Sequence, residues 1–235
     1  MKQLDLAHVE ALTFDCYGTL VDWETGILTT LRRVLANHGT ERNDGELLEL
    51  FGRLESLIES TSFGRYRDVL EAVMSAMASQ LGFAASEDER TALADELGGW
   101  PVFPDTRDAL ERLGSRYRLA IVSNVDDDLF ADTQRAIGVQ FDEVVTAQQI
   151  ESYKPAPEHF HEVLRRLALE PSQVIHVAQS LFHDIGPVSA LGWQTVWVRR
   201  GAQDGQPGAT PAADATPTCM VDDLAAAADL LLADS

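Results

Sequence analysis

Short apolar runs separated by helical periodicities constrain this chain more than any other feature. The runs fall at 9–16, 119–124, 143–147, 174–179 and 195–198 and read as buried strands. Between most of them, 105–113, 128–137, 157–167 and 184–191 repeat apolar residues at spacings of three or four, and Pro157 suits a first helical turn. Strands alternating with helices predict an α/β fold, a parallel sheet covered on both faces. The interval between the first two runs breaks the alternation. Helical patterns at 26–36, 45–59, 66–81 and 87–97 fill it with no strand-like period, so 22–98 reads as an inserted α-helical cap. The core is then 1–21 and 99–235, re-entered through the breaker-rich Gly98-Gly99-Trp100-Pro101 and Phe103-Pro104. A stretch rich in Gly, Pro and Ala, 201–218, reads as a loop before a last helix over 221–232.

Composition narrows the function classes. With 235 residues, 45% hydrophobic and 24% charged, the chain has the make-up of a globular protein. No apolar stretch approaches the roughly 20 residues that span a bilayer. Residues 1–10 lack the basic and apolar regions of a signal peptide, so a cytoplasmic location is expected. The two cysteines, Cys16 and Cys219, are expected to be reduced. A formal charge of -20 argues against a nucleic-acid or anionic-membrane partner. An acidic protein that binds an anion must concentrate cations locally. Lys2 and Lys154 are the chain's only lysines among 18 basic residues, which sets Lys154 apart.

In an open parallel sheet the ligand lies beyond the carboxyl ends of the strands. Asp15 closes the first run, Ser123-Asn124 the second, Lys154 follows the third and Asp184 the fourth. Four chemically distinct groups at equivalent strand ends form a candidate site. Asp15, running into the Gly18-Thr19 turn, is placed as a nucleophile. Gly-rich phosphate loops and zinc-ligand spacings are absent.

These four segments, Asp15-Cys16-Tyr17-Gly18-Thr19-Leu20, Ser123-Asn124, Lys154-Pro155 and Ser180 through Asp184, resemble the motifs of the haloacid dehalogenase superfamily. The resemblance implies a Rossmann-like core with an α-helical cap inserted after the first motif, and Asp15 as a nucleophile that forms an aspartyl intermediate. Phosphatases of that superfamily carry a second Asp where this chain has Tyr17, and a Gly-Asp pair where it has Ala178-Gln179. Magnesium wants several hard oxygen ligands, so neither a metal nor another cofactor is expected here.

A halide leaving group needs no proton, and the L-2-haloacid dehalogenase branch is similar in having Tyr at the position of Tyr17. That resemblance implies attack by Asp15 on carbon, then hydrolysis of the ester. Lys154 would hold Asp15 ionised. Thr19, Ser123 and Asn124 would bond the substrate carboxylate or Asp15, and Asp184 would orient Lys154 or activate water. Tyr17, Ser180, Trp23 and a cap arginine would contact a small carboxylate substrate. Arg53 is the nearest arginine by position, with Arg65 and Arg67 as rivals. Departures from the branch are Gln179-Ser180-Leu181 in place of its Ser-Ser-Asn run, which keeps only Ser180, and Phe160 in place of an aromatic hydroxyl. Phe14 to Leu20 followed by Asp22-Trp23-Glu24-Thr25-Gly26, Trp100-Pro101 and Ser180-Leu181-Phe182-His183-Asp184 are also similar to (S)-azetidine-2-carboxylate hydrolases, which open a cyclic amino acid. Expected activity is thus metal-independent displacement at carbon, with a 2-haloacid leading. Ring opening, a phosphatase with altered metal use and a non-catalytic relative are the alternatives. Pairing into a homodimer is compatible with the family.

Overall fold

The computed structural model describes residues 4–61, 63–200 and 208–233. In chain order the elements are β1 (Ala11–Phe14), α1 (Trp23–Asn37), α2 (Asp44–Glu59), α3 (Tyr66–Leu81), α4 (Glu87–Glu96), α5 (Thr106–Gly114) and β2 (Arg118–Ser123). There follow α6 (Asp127–Ile137), β3 (Glu143–Thr146), α7 (Ala147–Ile150), α8 (Glu158–Leu167) and β4 (Val174–Ala178). The last are α9 (Gly186–Ala190), β5 (Gln194–Val198), β6 (Cys219–Val221) and α10 (Leu224–Leu232). All strand pairs are parallel, in the order β3-β2-β1-β4-β5-β6.

Strand side chains alternate between two apolar layers, as the period of two requires. Leu12, Phe14, Leu119, Ile121, Ile175 and Val177 face one layer, which α5, α6 and α10 cover. Ala11, Ala120, Val122, Val145 and Val174 face the other, against α8 and α9. Every residue of β1 and of its neighbour β4 is buried, so the strand that leads into Asp15 is fully enclosed.

The interval between β1 and β2 is helical, as its periodicity predicts, and α1–α4 form the cap region. Their starts are fixed by side chains that meet free backbone N–H groups: Asp22 for α1, Asn43 for α2 and Ser86, in a reciprocal box with Glu89, for α4. Helix α3 has no such residue of its own. Core residue Asp126, 1% exposed, accepts from Tyr66 N and Arg67 N, both at 3.0 Å, and so ties the cap to the loop after β2. The segments entering and leaving the cap meet at a bridge between Val21 and Val102.

Two sequence expectations shift. The last helix begins at Leu224 rather than 221, because Cys219–Val221 pairs with β5 as a sixth strand and Asp223 caps the helix. The loop expected over 201–218 falls partly outside the described residues. No helix among the described residues is long and apolar enough to cross a membrane.

Gly26 of α1 packs on the Trp100 ring at the exit from the cap, and a Cβ there would lie 2.3 Å from the ring carbon Cγ. Gly26→Ala is expected to lower the unfolding free energy by about 1–3 kcal/mol through overpacking, measured by urea denaturation followed by tryptophan fluorescence.

Candidate active site

Strand order reverses on either side of β1, and there the carboxyl ends of β1, β2 and β4 converge. Beyond β1 the chain makes a tight turn. The backbone N–H groups of Thr19, Leu20 and Val21 all donate to Cys16 O, at 3.2, 2.7 and 3.1 Å. Gly18 takes φ +89° in that turn, a conformation open to glycine, and a Cβ there would press on Trp23 and Gln179 at 3.1 and 3.2 Å. The turn brings Thr19 back onto Asp15. Thr19 Oγ1 donates to Asp15 Oδ2 at 2.7 Å and accepts from Gln179 N at 2.9 Å. Because a hydroxyl has one proton, the Gln179 amide commits that proton to Asp15.

Lys154, 2% exposed, reaches in from the loop before α8. Its ammonium donates to Asp15 Oδ1 at 2.9 Å, Asp184 Oδ1 at 2.7 Å and Val122 O at 2.9 Å, which uses all three of its protons. Asn124 holds the same residue by its backbone: Lys154 N donates to Asn124 Oδ1 at 2.7 Å, and Asn124 Nδ2 donates to Lys154 O at 3.1 Å. The Asn124 amide is therefore spent on fixing Lys154. Burial alone pulls the ammonium pKa down, yet the two carboxylates outweigh it and hold it above the usual lysine range.

Asp184 does not open a helix as its sequence position suggests. It lies in a π-helical turn, Leu181–Ile185, and the capping role falls to Ser180, whose Oγ accepts from His183 N at 2.9 Å. Asp184 Oδ1 also accepts from His176 Nε2 at 3.0 Å, and His176 Nδ1 then accepts from Thr13 Oγ1 at 2.8 Å. Burial pushes the Asp184 carboxyl up, but Lys154 and His176 overcome it and bring its pKa to about 2. For Asp15 the balance is reversed. Burial raises its pKa despite the pull of Lys154, and the Asp184 charge adds to the rise.

A cavity of about 40 Å³ opens over Asp15. At roughly 10–15 Å³ per water it holds about three waters, or a small substrate. From the core it is lined by Asp15, Tyr17, Ser123, Lys154, Ser180 and Asp184, all expected from the sequence, together with Trp23 at the start of α1. Ser123 is 1% exposed and its Oγ has no hydrogen-bond partner among the described residues. The Tyr17 hydroxyl pairs with Thr133 Oγ1 at 2.9 Å, and its ring stands edge-on to Trp100 with centroids 6.1 Å apart. Burial lowers the His183 pKa to about 4, so its imidazole is neutral at pH 7.

The cap arginines are not brought to the cavity. Arg53 is exposed, donates to Gln80 Oε1 at 3.0 Å and lines a neighbouring groove. Arg65 pairs with Asp126 and Asp128, and Arg67 with Asp95 and Asp128. What the cap does present is Glu55, Glu59 and Tyr66. Sequence reasoning missed these residues and His176. The signals were a histidine inside the apolar run Val174-Ile175-His176-Val177-Ala178, and Glu55 on the apolar stripe of α2 with Leu47, Leu48, Phe51 and Leu54.

The donor set does not fit magnesium. The ammonium of Lys154 stands between the two acidic groups, Gln179 and Tyr17 offer no carboxylate, and among the described residues no group of three or more His, Cys, Asp or Glu is arranged to hold a metal ion.

Residues 9–187 match the family model described as haloacid dehalogenase-like hydrolase. The chain belongs to this family of hydrolases. Its relatives include (S)-2-haloacid dehalogenase 1 of Pseudomonas sp. (strain CBS-3), 29% identical over 82% of this chain and 85% of that protein. Another is (S)-2-haloacid dehalogenase 4A of Burkholderia cepacia, 28% identical over 82% of this chain and 84% of that protein. In fold, the chain superposes on the L-2-haloacid dehalogenase of Xanthobacter autotrophicus with chloropropionic acid covalently bound. The TM-score is 0.81 at 19% identity, with 97% of this chain and 100% of that one covered.

In Lys154→Met two buried carboxyl groups lose their cation, which is expected to cost about 3–5 kcal/mol of stability at pH 7. In the parent, Asp184, whose folded pKa is depressed, contributes stability above its unfolded value, near 3.9, and loses it as pH falls toward about 2, whereas Asp15, whose folded pKa burial raises, adds nothing to that contribution. The penalty in Lys154→Met should shrink on acidification, because without their cation both buried carboxyls take up protons more readily in the folded chain than in the unfolded one. Urea unfolding of both proteins at pH 7 and pH 4 measures it.

Proposed function

We propose that this chain is a metal-independent hydrolase that displaces a leaving group from the carbon next to a carboxylate, through an ester on Asp15. Residues 22–98 act as the cap, and 1–21 with 99–235 as the core. The observation that carries the reading is a buried Asp15 gripped at each oxygen by one donor, Lys154 Nζ and Thr19 Oγ1, at the floor of a cavity sized for a small molecule.

An Asp15 oxygen forms a bond to the substrate carbon while the leaving group departs with the electron pair of its bond. A halide needs no proton, so no acid is required opposite the nucleophile. Ser123 Oγ, buried and unpartnered, is free to donate to the substrate carboxylate. Water then adds to Cγ of Asp15. The bond from Cγ to the substrate oxygen breaks, releasing the hydroxy acid and leaving one oxygen of water in Asp15. Asp184 Oδ2, buried without a partner, is free to accept from that water, while Oδ1 steadies Lys154. Lys154 stays charged throughout.

Hydrolytic dehalogenation of a short 2-haloacid is the leading form of this chemistry, supported by dehalogenase relatives along most of the chain and by the covalent chloropropionate adduct of the Xanthobacter enzyme. Ring opening of a cyclic amino acid, as in (S)-azetidine-2-carboxylate hydrolases, uses the same nucleophile, and the glutamates of the cap favour it. The lack of a magnesium donor set disfavours a phosphatase, and the intact grouping of Asp15, Lys154 and Asp184 disfavours a purely binding role.

Single turnover in oxygen-18 water should place label in Asp15 before product, as read by peptide mass spectrometry. Asp15→Asn should reduce kcat by more than about 10³-fold on any accepted substrate. Label found only in product would exclude the ester.

A further inference from the structure

A departing halide needs no proton, yet it brings a full negative charge into a buried cavity and wants a hydrogen-bond donor there. The Lys154 ammonium cannot serve, since its three protons are spent on Asp15, Asp184 and Val122 O. From the cap, α2 presents Glu55, 5% exposed, and Glu59, one helical turn on. Ionised, this pair would repel a halide and suit a cation. The site gives the pair no counter-charge. Lys154, the one lysine or arginine lining the cavity, pairs with the two aspartates and with neither glutamate. A buried carboxyl without a cation of its own is cheaper to bury neutral than charged. Tyr66 of α3 settles which oxygen then carries the hydrogen. Its hydroxyl donates to Glu55 Oε1 at 2.6 Å, so Oε1 is the accepting oxygen and Oε2, which makes no hydrogen bond to any described residue, keeps the proton.

We propose that Glu55, in its carboxylic acid form, is the halide subsite and donates the hydrogen on Oε2 to the leaving group as it departs. The inference rests on the displacement of a 2-haloacid by Asp15 proposed above, and adds the group that receives the halide. Burial brings the Glu55 pKa to about 7 against the pull of the Tyr66 hydroxyl. Burial and the Glu55 charge hold Glu59 well above its ordinary value, so Glu55 is the first of the pair to ionise. Burial keeps Tyr66 and Tyr153 neutral beside them, His183 is neutral at pH 7, and Lys154, Asp15 and Asp184 face them from the core. Two carboxyls thus stand across one cavity in opposite states. Asp15, beside a cation, attacks as the anion, and Glu55, without one, acts as the acid.

Atoms and electrons balance without a further reactant. An Asp15 oxygen bonds to carbon, the carbon-halogen bond breaks, and its electron pair leaves with the halide, hydrogen-bonded to Oε2. The Glu55 proton stays on Glu55, and the proton released overall comes from the water that hydrolyses the ester. The donor is present below the Glu55 pKa. As pH rises through that value the hydrogen is lost and a repelling charge replaces it.

The test follows chloride release from L-2-chloropropionate between pH 6 and pH 9 without added metal, with oxygen-18 labelling of Asp15 read in parallel. Above a pKa of about 7, kcat/KM should fall about tenfold per pH unit. Glu55→Gln replaces the acid by an amide donor that cannot ionise. It should lower kcat/KM at pH 6 about tenfold and abolish the alkaline fall. Glu55→Leu, with no donor, should lose about 100-fold at pH 6. Tyr66→Phe, a second test in case Glu55→Gln does not fold, removes the hydrogen bond that lowers the Glu55 pKa and should move the fall to higher pH. Circular dichroism checks folding of each. With Asp15 labelled, a flat parent profile, a rise with pH, a fall that survives in Glu55→Gln or one that Tyr66→Phe leaves unmoved would overturn the subsite and leave the displacement standing. Absence of Asp15 labelling by chloropropionate would overturn both.

Discussion

One ammonium group organises the functional end of this protein. Lys154 Nζ spends its three protons on Asp15, Asp184 and the Val122 carbonyl near the end of β2, and so ties together the segments that follow β1 and β4, the end of β2 and its own loop after β3. A buried ion pair gains little net stability, because desolvation cancels most of the Coulomb attraction. Its return is in placement. Each carboxylate can take only one position relative to the other, and Asp15 is held in a fixed orientation without being protonated by its neighbour. The layers behind the ammonium serve that arrangement: Asn124 clamps the Lys154 backbone from both sides, and the chain from Thr13 through His176 fixes Asp184.

The same cation explains why the loss of carboxylates elsewhere is tolerable. In a site built for a metal, acidic side chains surround a dication that neutralises them. Here two aspartates are balanced by one lysine, and Gln179 and Tyr17, at positions where carboxylates would add charge, are neutral. Tyr17 is also committed, its hydroxyl to Thr133 and its ring to Trp100, so it joins the turn after Asp15 to α6 and to the exit from the cap. The residue that removes a carboxylate from the site thus becomes a joint between core and cap.

Much of this was legible in the sequence because strand ends in a parallel sheet converge by topology alone. Once Asp15, Ser123, Lys154 and Asp184 were each placed at the end of an apolar run, their meeting followed, and the rarity of lysine singled out Lys154. The cap was harder. Periodicity locates helices α1 to α4 but leaves their rotation about the axis open wherever a polar residue lies on the apolar stripe. Glu55 sits there beside Leu54 and one turn beyond Phe51, and a glutamate on that stripe reads as interrupted burial until its partner Tyr66 is seen on the next helix. Arg53, two residues earlier, is carried by the same rotation to the outside. The missed sixth strand has a different cause: three residues paired on one side alone carry too little pattern to register.

The core and cap sides of the cavity are therefore held by different forces. The core fixes Asp15 through strand ends and a buried cation that tolerate almost no change, since every proton of the Lys154 ammonium is in use. The cap reaches the cavity through one face of α2 and the start of α3, anchored to the core by Asp126 at the α3 N-terminus.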